Sequence, residues 1–126
     1  MSNLTPDPTR VIIVDRDPRV RRALRALIEA APGFSVARDT PSLADVEALD
    51  GRQRPSVILL DLMAPNPRDG LALLAHLAGE GTHPIVAMST RSGLRDAALQ
   101  AGARGFLDKG ETPDRILAAL KRAAII

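Results

Sequence analysis

The sequence contains no cysteine, tryptophan or tyrosine, and only two phenylalanines. Without cysteine the chain cannot form a disulfide framework or a thiolate metal site, which fits a reducing compartment. With so few aromatic side chains it lacks the stacking platform that binds single-stranded nucleic acid. No apolar run approaches the roughly 18 residues that a membrane-spanning helix needs, and the polar residues 1–10 do not resemble a signal peptide. We therefore expect a cytoplasmic protein.

An excess of charge of one sign is also missing, because 17 basic and 15 acidic residues leave a formal net charge of +2. The charge balance therefore does not point to a nucleic-acid or membrane partner. The length of 126 residues and the 45% apolar content suit one domain with a proper core. We expect residues 1–9 to be a disordered lead-in and residues 10–126 to form that domain.

Short apolar runs alternate along the chain with segments of helical period. The runs predict strands near residues 11–15, 34–38, 56–61, 84–89 and 104–108. The intervening segments predict helices near residues 18–31, 42–50, 70–79, 92–101 and 113–123. The first, third and fourth runs are continuous, which is typical of strands buried on both faces of a parallel sheet. The alternation predicts an α/β fold with a doubly wound, five-stranded parallel sheet.

Polar side chains follow four of the predicted strands. Asp15 follows the first strand, Asp61 ends the third, Ser89 ends the fourth and Lys109 follows the fifth. In doubly wound sheets the functional crevice lies at the carboxyl ends of the strands, so these groups are expected to converge. The set suits phosphoryl transfer to a carboxylate, with Asp61 as nucleophile and Mg²⁺ held by Asp15 and Asp61. Lys109 and the Ser89 hydroxyl would contact phosphoryl oxygens.

Four blocks of sequence resemble the receiver domains of response regulators. They are, in chain order, VDRDP at residues 14–18, LDLMAP at 60–65, MST at 88–90 and AGARGFLDK at 101–109. The resemblance extends from about Thr9 to the end of the chain. Lys109 is followed by Gly110 instead of proline, which is similar to receivers of the NarL/LuxR type.

This resemblance implies a flavodoxin-like (βα)5 fold and a role in two-component signalling. Asp61 would be the phosphoacceptor, supplied by a sensor histidine kinase or a phosphotransfer protein, and the backbone carbonyl of Met63 would be a further Mg²⁺ ligand. Ser89 and Phe106 would form the switch pair. The chain would not be an enzyme beyond self-catalysed phosphoryl transfer and autodephosphorylation. A homodimer, and transcription regulation through a DNA-binding output domain in a longer parent chain, are compatible with the resemblance.

The first departure from the family pattern is Arg16, which stands where the second of two adjacent acids is usual. Asp15 and Asp61 are then balanced by Arg16 and Lys109, which predicts weak Mg²⁺ binding. We hypothesise that Arg16 partly replaces Mg²⁺ by pairing with Asp61 or its phosphoryl group in a bidentate way. Asp17 either supplies the missing acid or caps the first helix.

The second departure is in the loop after the phosphoacceptor. The glycine of this loop, Gly70, comes one residue later than usual, and residues 66–69 resemble an inserted, stiffened turn. Because the loop faces the site, the insertion is expected to alter phosphorylation kinetics or partner fit.

Two other functions stay open. A damaged acid pair allows a phosphorylation-independent (pseudo-receiver) module for interaction or dimerisation. Residues 12–17 also resemble the haloacid-dehalogenase hydrolase motif, with Asp15 as nucleophile and Asp17 as general acid. Against this phosphatase, no acidic pair follows Lys109, no insertion is long enough to cap a substrate, and Asp61 would have no role.

The remaining charged residues are predicted to be structural or solvated. Four arginines give the first predicted helix a basic face, which is either a solvated surface or a docking surface for a kinase. They are Arg19, Arg21, Arg22 and Arg25. His76 and His83 have no neighbouring metal-ligand residues and are expected to be structural or surface groups.

Overall fold

The computed structural model describes residues 7–41, 55–63 and 67–125. The helix predicted near residues 42–50 lies outside them, as do residues 1–6 of the predicted lead-in. The strands are β1 (Thr9–Val14), β2 (Phe34–Thr40), β3 (Val57–Asp61), β4 (Ile85–Ser89) and β5 (Gly105–Asp108). The helices are α1 (Pro18–Ala30), α2 (Pro67–Glu80), α3 (Arg95–Gln100) and α4 (Pro113–Ala124), and a 3₁₀ turn (Ser92–Leu94) precedes α3.

The five strands form one parallel sheet in the order β2-β1-β3-β4-β5. This confirms the predicted fold class. The chain moves outward from β1 to β2 and then returns past β1 to β3, so the strand order reverses between β1 and β3. A ligand crevice is expected at the carboxyl ends of strands on either side of such a reversal. Asp15 and Asp61 lie at those two strand ends.

Every residue of β3 and β4 is buried, which shows that both faces of the sheet are covered. On one face Ile12 and Ile58 pack in a cluster with Leu74 of α2. On the other face Ile28 of α1 and Leu120 of α4 belong to the second cluster. The continuous apolar strands are thus explained by burial on two sides. Within the described ranges, none of the helices combines the length and the apolarity that crossing a bilayer requires.

Several predicted boundaries were wrong by a few residues. The helix predicted from residue 70 begins at Pro67, so residues 67–69 of the predicted turn form the first turn of the helix, and residue 66 lies outside the described residues. Proline suits the first helical position, and Asp69 is favourable near the positive end of the helix dipole. β1 begins at Thr9 instead of residue 11, and β2 continues to Thr40 instead of residue 38.

Candidate functional site

Three charged side chains meet at the carboxyl edge of the sheet. Lys109 Nζ lies 2.7 Å from Asp15 Oδ2 and 3.3 Å from Asp61 Oδ2. The two carboxylates are only 1% and 5% exposed, whereas Lys109 is 21% exposed. The structure therefore brings together the acid that follows β1, the acid that ends β3 and the lysine that follows β5. Two carboxylates that share one ammonium make a compact, mostly buried anionic centre.

Asp15 is held by hydrogen bonds at all four of its polar atoms. Its backbone N–H donates to the carbonyl of Thr40 at the end of β2 (3.1 Å). Its own carbonyl accepts from Arg21 Nη1 (2.7 Å). Oδ1 accepts the N–H of Asp17 (2.9 Å), and Oδ2 accepts from Lys109. The carboxylate is consequently oriented before any ligand arrives.

Asp61 is fixed by the loop that follows it. Its Oδ1 accepts the backbone N–H of Met63 (3.0 Å), and the N–H of Leu62 donates to the Met88 carbonyl of β4 (2.9 Å). Gly70 of α2 approaches this loop so closely that a Cβ there would lie 2.0 Å from the Leu62 carbonyl oxygen. The position needs glycine, and the packing of α2 against the loop explains why.

The two residues predicted as a switch pair are both buried. Ser89 is fully buried at the end of β4, where its Oγ accepts the N–H of Arg91 (2.9 Å) and its carbonyl accepts the N–H of Lys109 (3.0 Å). Phe106 is 9% exposed and belongs to the core cluster that includes Ala98 of α3. The structure thus shows one state of this pair, and its switching stays a prediction.

The charges at the site keep Lys109 protonated. Burial lowers the pKa of Lys109, but the hydrogen bond to Asp15 and the negative charges of Asp61 and Asp15 together raise it by more. The pKa therefore lies above its usual value. Two carboxylates and one ammonium leave a formal charge of −1 in the pocket. That charge favours a cation next to the two acids.

Arg16 does not take part in this arrangement. Its side chain is exposed and, within the described ranges, makes no ion pair. The predicted pairing of Arg16 with Asp61 is not formed, and the cation next to Asp61 is Lys109. Asp17 takes the capping alternative: its Oδ1 accepts the N–H of Arg19 (2.9 Å) at the start of α1. That hydrogen bond also lowers the pKa of Asp17.

The acids at the site suit Mg²⁺ better than a metal that needs a full protein cage. No group of three acidic, histidine or cysteine residues that could hold a metal occurs in the part of the chain that is described. Mg²⁺, however, usually binds through one or two carboxylates and keeps several waters. Asp15 and Asp61 satisfy this requirement, and Met63 lies in the same loop with a backbone carbonyl. These residues fit the ion.

Arg21 is a site residue that sequence reasoning missed. It was expected on a basic surface, yet its side chain is only 17% exposed. It donates to the carbonyl of Asp15 and pairs with Asp39 of β2. Arg21 and Asp39 are 18 positions apart, and a charge pattern along one helix does not reveal a contact with a neighbouring strand. Of the histidines, His83 is structural as expected, because its Nδ1 accepts the N–H of Ser56 (2.9 Å).

Comparison with known proteins agrees with this geometry. Residues 11–121 match the response regulator receiver domain family. The nitrate/nitrite response regulator protein NarP of Escherichia coli is 35% identical over 120 residues, which cover 93% of this chain and 55% of NarP. The nitrate/nitrite response regulator protein homolog of Haemophilus influenzae is 31% identical over 121 residues, which cover 94% of this chain and 58% of that protein. The chain spans about half the length of these curated relatives.

Solved structures give the same result. A LuxR-family two-component response regulator from Aurantimonas is 26% identical, with a TM-score of 0.77 over 91% of this chain and 84% of that chain. The signal receiver domain of the putative response regulator NarL from Mycobacterium tuberculosis is 25% identical, with a TM-score of 0.75 over 92% and 98% of the two chains. The chain therefore belongs to the response regulator receiver domain family, with NarL/LuxR-type relatives.

Proposed function

We propose that this receiver domain accepts a phosphoryl group on Asp61 from a sensor histidine kinase or a phosphotransfer protein. The observation that supports this most directly is the arrangement of Asp61 itself. The carboxylate is buried, one oxygen is held by the Met63 N–H, and the other lies 3.3 Å from the Lys109 ammonium. A second buried carboxylate, Asp15, lies against the same lysine.

In the transfer, an oxygen of Asp61 attacks the phosphorus atom of a phosphohistidine. A new O–P bond forms, the P–N bond breaks, and the leaving imidazole keeps the electron pair and takes a proton from solvent. Lys109 supplies positive charge where the phosphoryl oxygens gather. The Met63 N–H holds the nonattacking oxygen, so that Asp61 presents one oxygen to the donor. Attack by water on the same phosphorus atom releases phosphate and restores the carboxylate.

Mg²⁺ would be held by Asp15, Asp61 and the backbone carbonyl of Met63. When bound, the ion offsets negative charge on the phosphoryl group during transfer. The usual second acid is replaced by Arg16, so we expect weaker binding than at a site with three acids. The Arg16 side chain is exposed and makes no ion pair with the described residues, which leaves it available to a phosphoryl group.

Phosphorylation of Asp61 would change the conformation of a surface away from the site. The Ser89 hydroxyl would turn toward the phosphoryl group, and Phe106 would repack behind it. In a parent protein as long as the curated relatives, the readout would be transcription regulation through a DNA-binding output domain, in the cytoplasm and with or without homodimerisation.

A phosphorylation-independent module is the second candidate. One observation favours it. Within the described ranges the pocket has two acids, Asp15 and Asp61, and Arg16, which is exposed, stands where the family usually has a further acid. The haloacid-dehalogenase alternative gains no such support. Its general acid, Asp17, caps α1 and pairs with Arg19, and its nucleophile, Asp15, is bonded to Lys109 beside a second acid.

Intact-mass spectrometry after incubation with acetyl phosphate tests the proposal. Wild type should gain the mass of one phosphoryl group, and Asp61→Asn should gain none. Asp96→Asn, which changes an exposed acid on α3, is the matched control and should behave as wild type. Omitting Mg²⁺ should slow the gain. If wild type gains no mass from acetyl phosphate or from any histidine kinase, the phosphorylation-independent module becomes the better explanation.

A further inference from the structure

One arginine, Arg21, anchors the turn between β1 and α1. Arg21 Nη1 donates to the carbonyl oxygen of Asp15 at 2.7 Å and to that of Arg16 at 3.3 Å. The two carbonyls belong to the peptide groups on either side of Arg16, directly after Asp15 in the chain. A single guanidinium nitrogen thus fixes two successive peptide groups of the turn. The Arg21 side chain is 17% exposed.

Asp39 fixes the orientation of this guanidinium. Its Oδ1 lies 3.2 Å from Arg21 Nε, and its Oδ2 pairs with Arg25 Nη1. Asp39 is opposite Ile13 in the β1–β2 register, so it is anchored beside the strand that leads to the site. Arg25 is further braced by Glu29, at 2.7 Å on the next turn of α1. The carboxylate therefore ties two arginines of α1 to the end of β2.

Only arginine can make this set of contacts from one side chain. The planar guanidinium group holds its donors in fixed directions, so Nε can donate to a carboxylate while Nη1 donates to two carbonyls. A lysine ammonium is a compact point charge on a flexible stem, and it cannot reproduce that geometry. Arg16 makes no ion pair in the described ranges, so it offers the turn no comparable anchor.

We infer that Arg21 is a positioning residue for phosphoryl transfer, acting through the backbone of Asp15 and oriented by Asp39. This rests on the proposed function of Asp61. Arg21 fixes the backbone that carries the Asp15 side chain. Oδ2 of Asp15 accepts a hydrogen bond from Lys109, which also contacts Asp61. A shift of the turn would displace one acid of the pair relative to the other.

The test compares Arg21→Gln and Arg21→Lys with two controls. Arg22→Gln changes the neighbouring, exposed arginine, and Ile28→Val weakens the core under α1 without touching the turn. The rate of phosphorylation by acetyl phosphate with Mg²⁺ is measured as a function of donor concentration. We expect the maximal rate to fall roughly tenfold or more in both Arg21 variants, since small misplacements of reacting groups are costly. Both controls should keep the wild-type rate, and Asp39→Asn should act in the same direction as Arg21→Gln and not additively with it.

A second readout does not depend on phosphorylation. The Asp17 N–H donates to Asp15 Oδ1, so its hydrogen exchange should speed up in Arg21→Gln and not in Arg22→Gln. If wild type is phosphorylated but Arg21→Gln reacts equally fast, or if Ile28→Val slows equally, the positioning role is refuted. If wild type is never phosphorylated, the proposed function fails and the role of Arg21 in phosphoryl transfer fails with it. The exchange of the Asp17 N–H then tests the anchoring of the turn alone: unchanged exchange refutes it, and faster exchange supports it.

Discussion

Replacing Gly70 by alanine should displace the loop that positions Asp61. The added Cβ would lie 2.0 Å from the Leu62 carbonyl oxygen and 2.7 Å from its carbonyl carbon, both backbone atoms that cannot rotate away. Ordinary contact begins near 3.4 Å, so α2 and the loop must separate by about 1.4 Å. The Met63 N–H bond to Asp61, now 3.0 Å, does not survive a shift of that size if the loop moves.

The change in the free energy of unfolding of Gly70→Ala follows from two opposing effects. Overpacking a tight site costs about 1–3 kcal/mol, and exchanging glycine for alanine inside a helix returns up to about 1 kcal/mol. We therefore expect Gly70→Ala to lower the free energy of unfolding by about 1–2 kcal/mol, and to slow phosphorylation of Asp61 as well.

Urea denaturation and intact-mass phosphorylation measure the two effects. Gly79→Ala is the matched control, because it lies in the same helix with no atom within 4 Å of the added Cβ. It should leave the phosphorylation rate unchanged and raise stability slightly. If Gly70→Ala is as stable as Gly79→Ala and is phosphorylated at the wild-type rate, the close approach of α2 does not constrain the site.

Three further predictions concern stability. Lys109→Gln removes the cation that two buried carboxylates share, and should lower the free energy of unfolding by about 1–3 kcal/mol in urea denaturation, because buried acceptors lose their donor. The double variant with Asp15→Asn should lose less than the sum of the two single variants, and strict additivity would contradict the shared pair. Burial lowers the pKa of the His83 imidazole below its usual 6.5. Neutral His83 therefore makes its full contribution to the free energy of unfolding above pH 6.5, and this contribution is lost as the pH falls through the folded-state pKa. Unfolding at about pH 7.5 and about pH 5.5 should show this loss in wild type and a smaller one in His83→Asn, which keeps an acceptor but does not titrate; equal losses would exclude His83 as the source. Gly102→Ala should destabilise by about 1–3 kcal/mol, because the backbone has φ +115° and the new Cβ would lie 2.5 Å from Ala78 Cβ; an unchanged midpoint would refute the strain.

The sheet and the residues that converge on it could be predicted from local patterns. Buried parallel strands need apolar residues on both faces, so β1, β3 and β4 are visible as continuous runs. Since the carboxyl ends of parallel strands share an edge, the topology predicts that Asp15, Asp61 and Lys109 lie at the same edge of the sheet.

What could not be predicted depends on tertiary contacts. The start of α2 at Pro67 is compatible with helix and turn chemistry alike, and the packing of Gly70 on Leu62 decides between them. Arg21 looks like any other arginine on a basic helix, and only the position of Asp39 on the neighbouring strand shows that it is partly buried.

The ion pair between Lys109 and Asp15 joins residues that are 94 positions apart. Such a contact forms only after most of the polypeptide has been ordered, because closing a long loop costs entropy that the intervening structure must first offset. During synthesis β5 and Lys109 leave the ribosome after the strands that carry Asp15 and Asp61. A nascent or truncated chain would therefore have its first strands and helices without the ammonium group beside its two acids. The proposed acceptor site would then be complete only when the whole domain has folded.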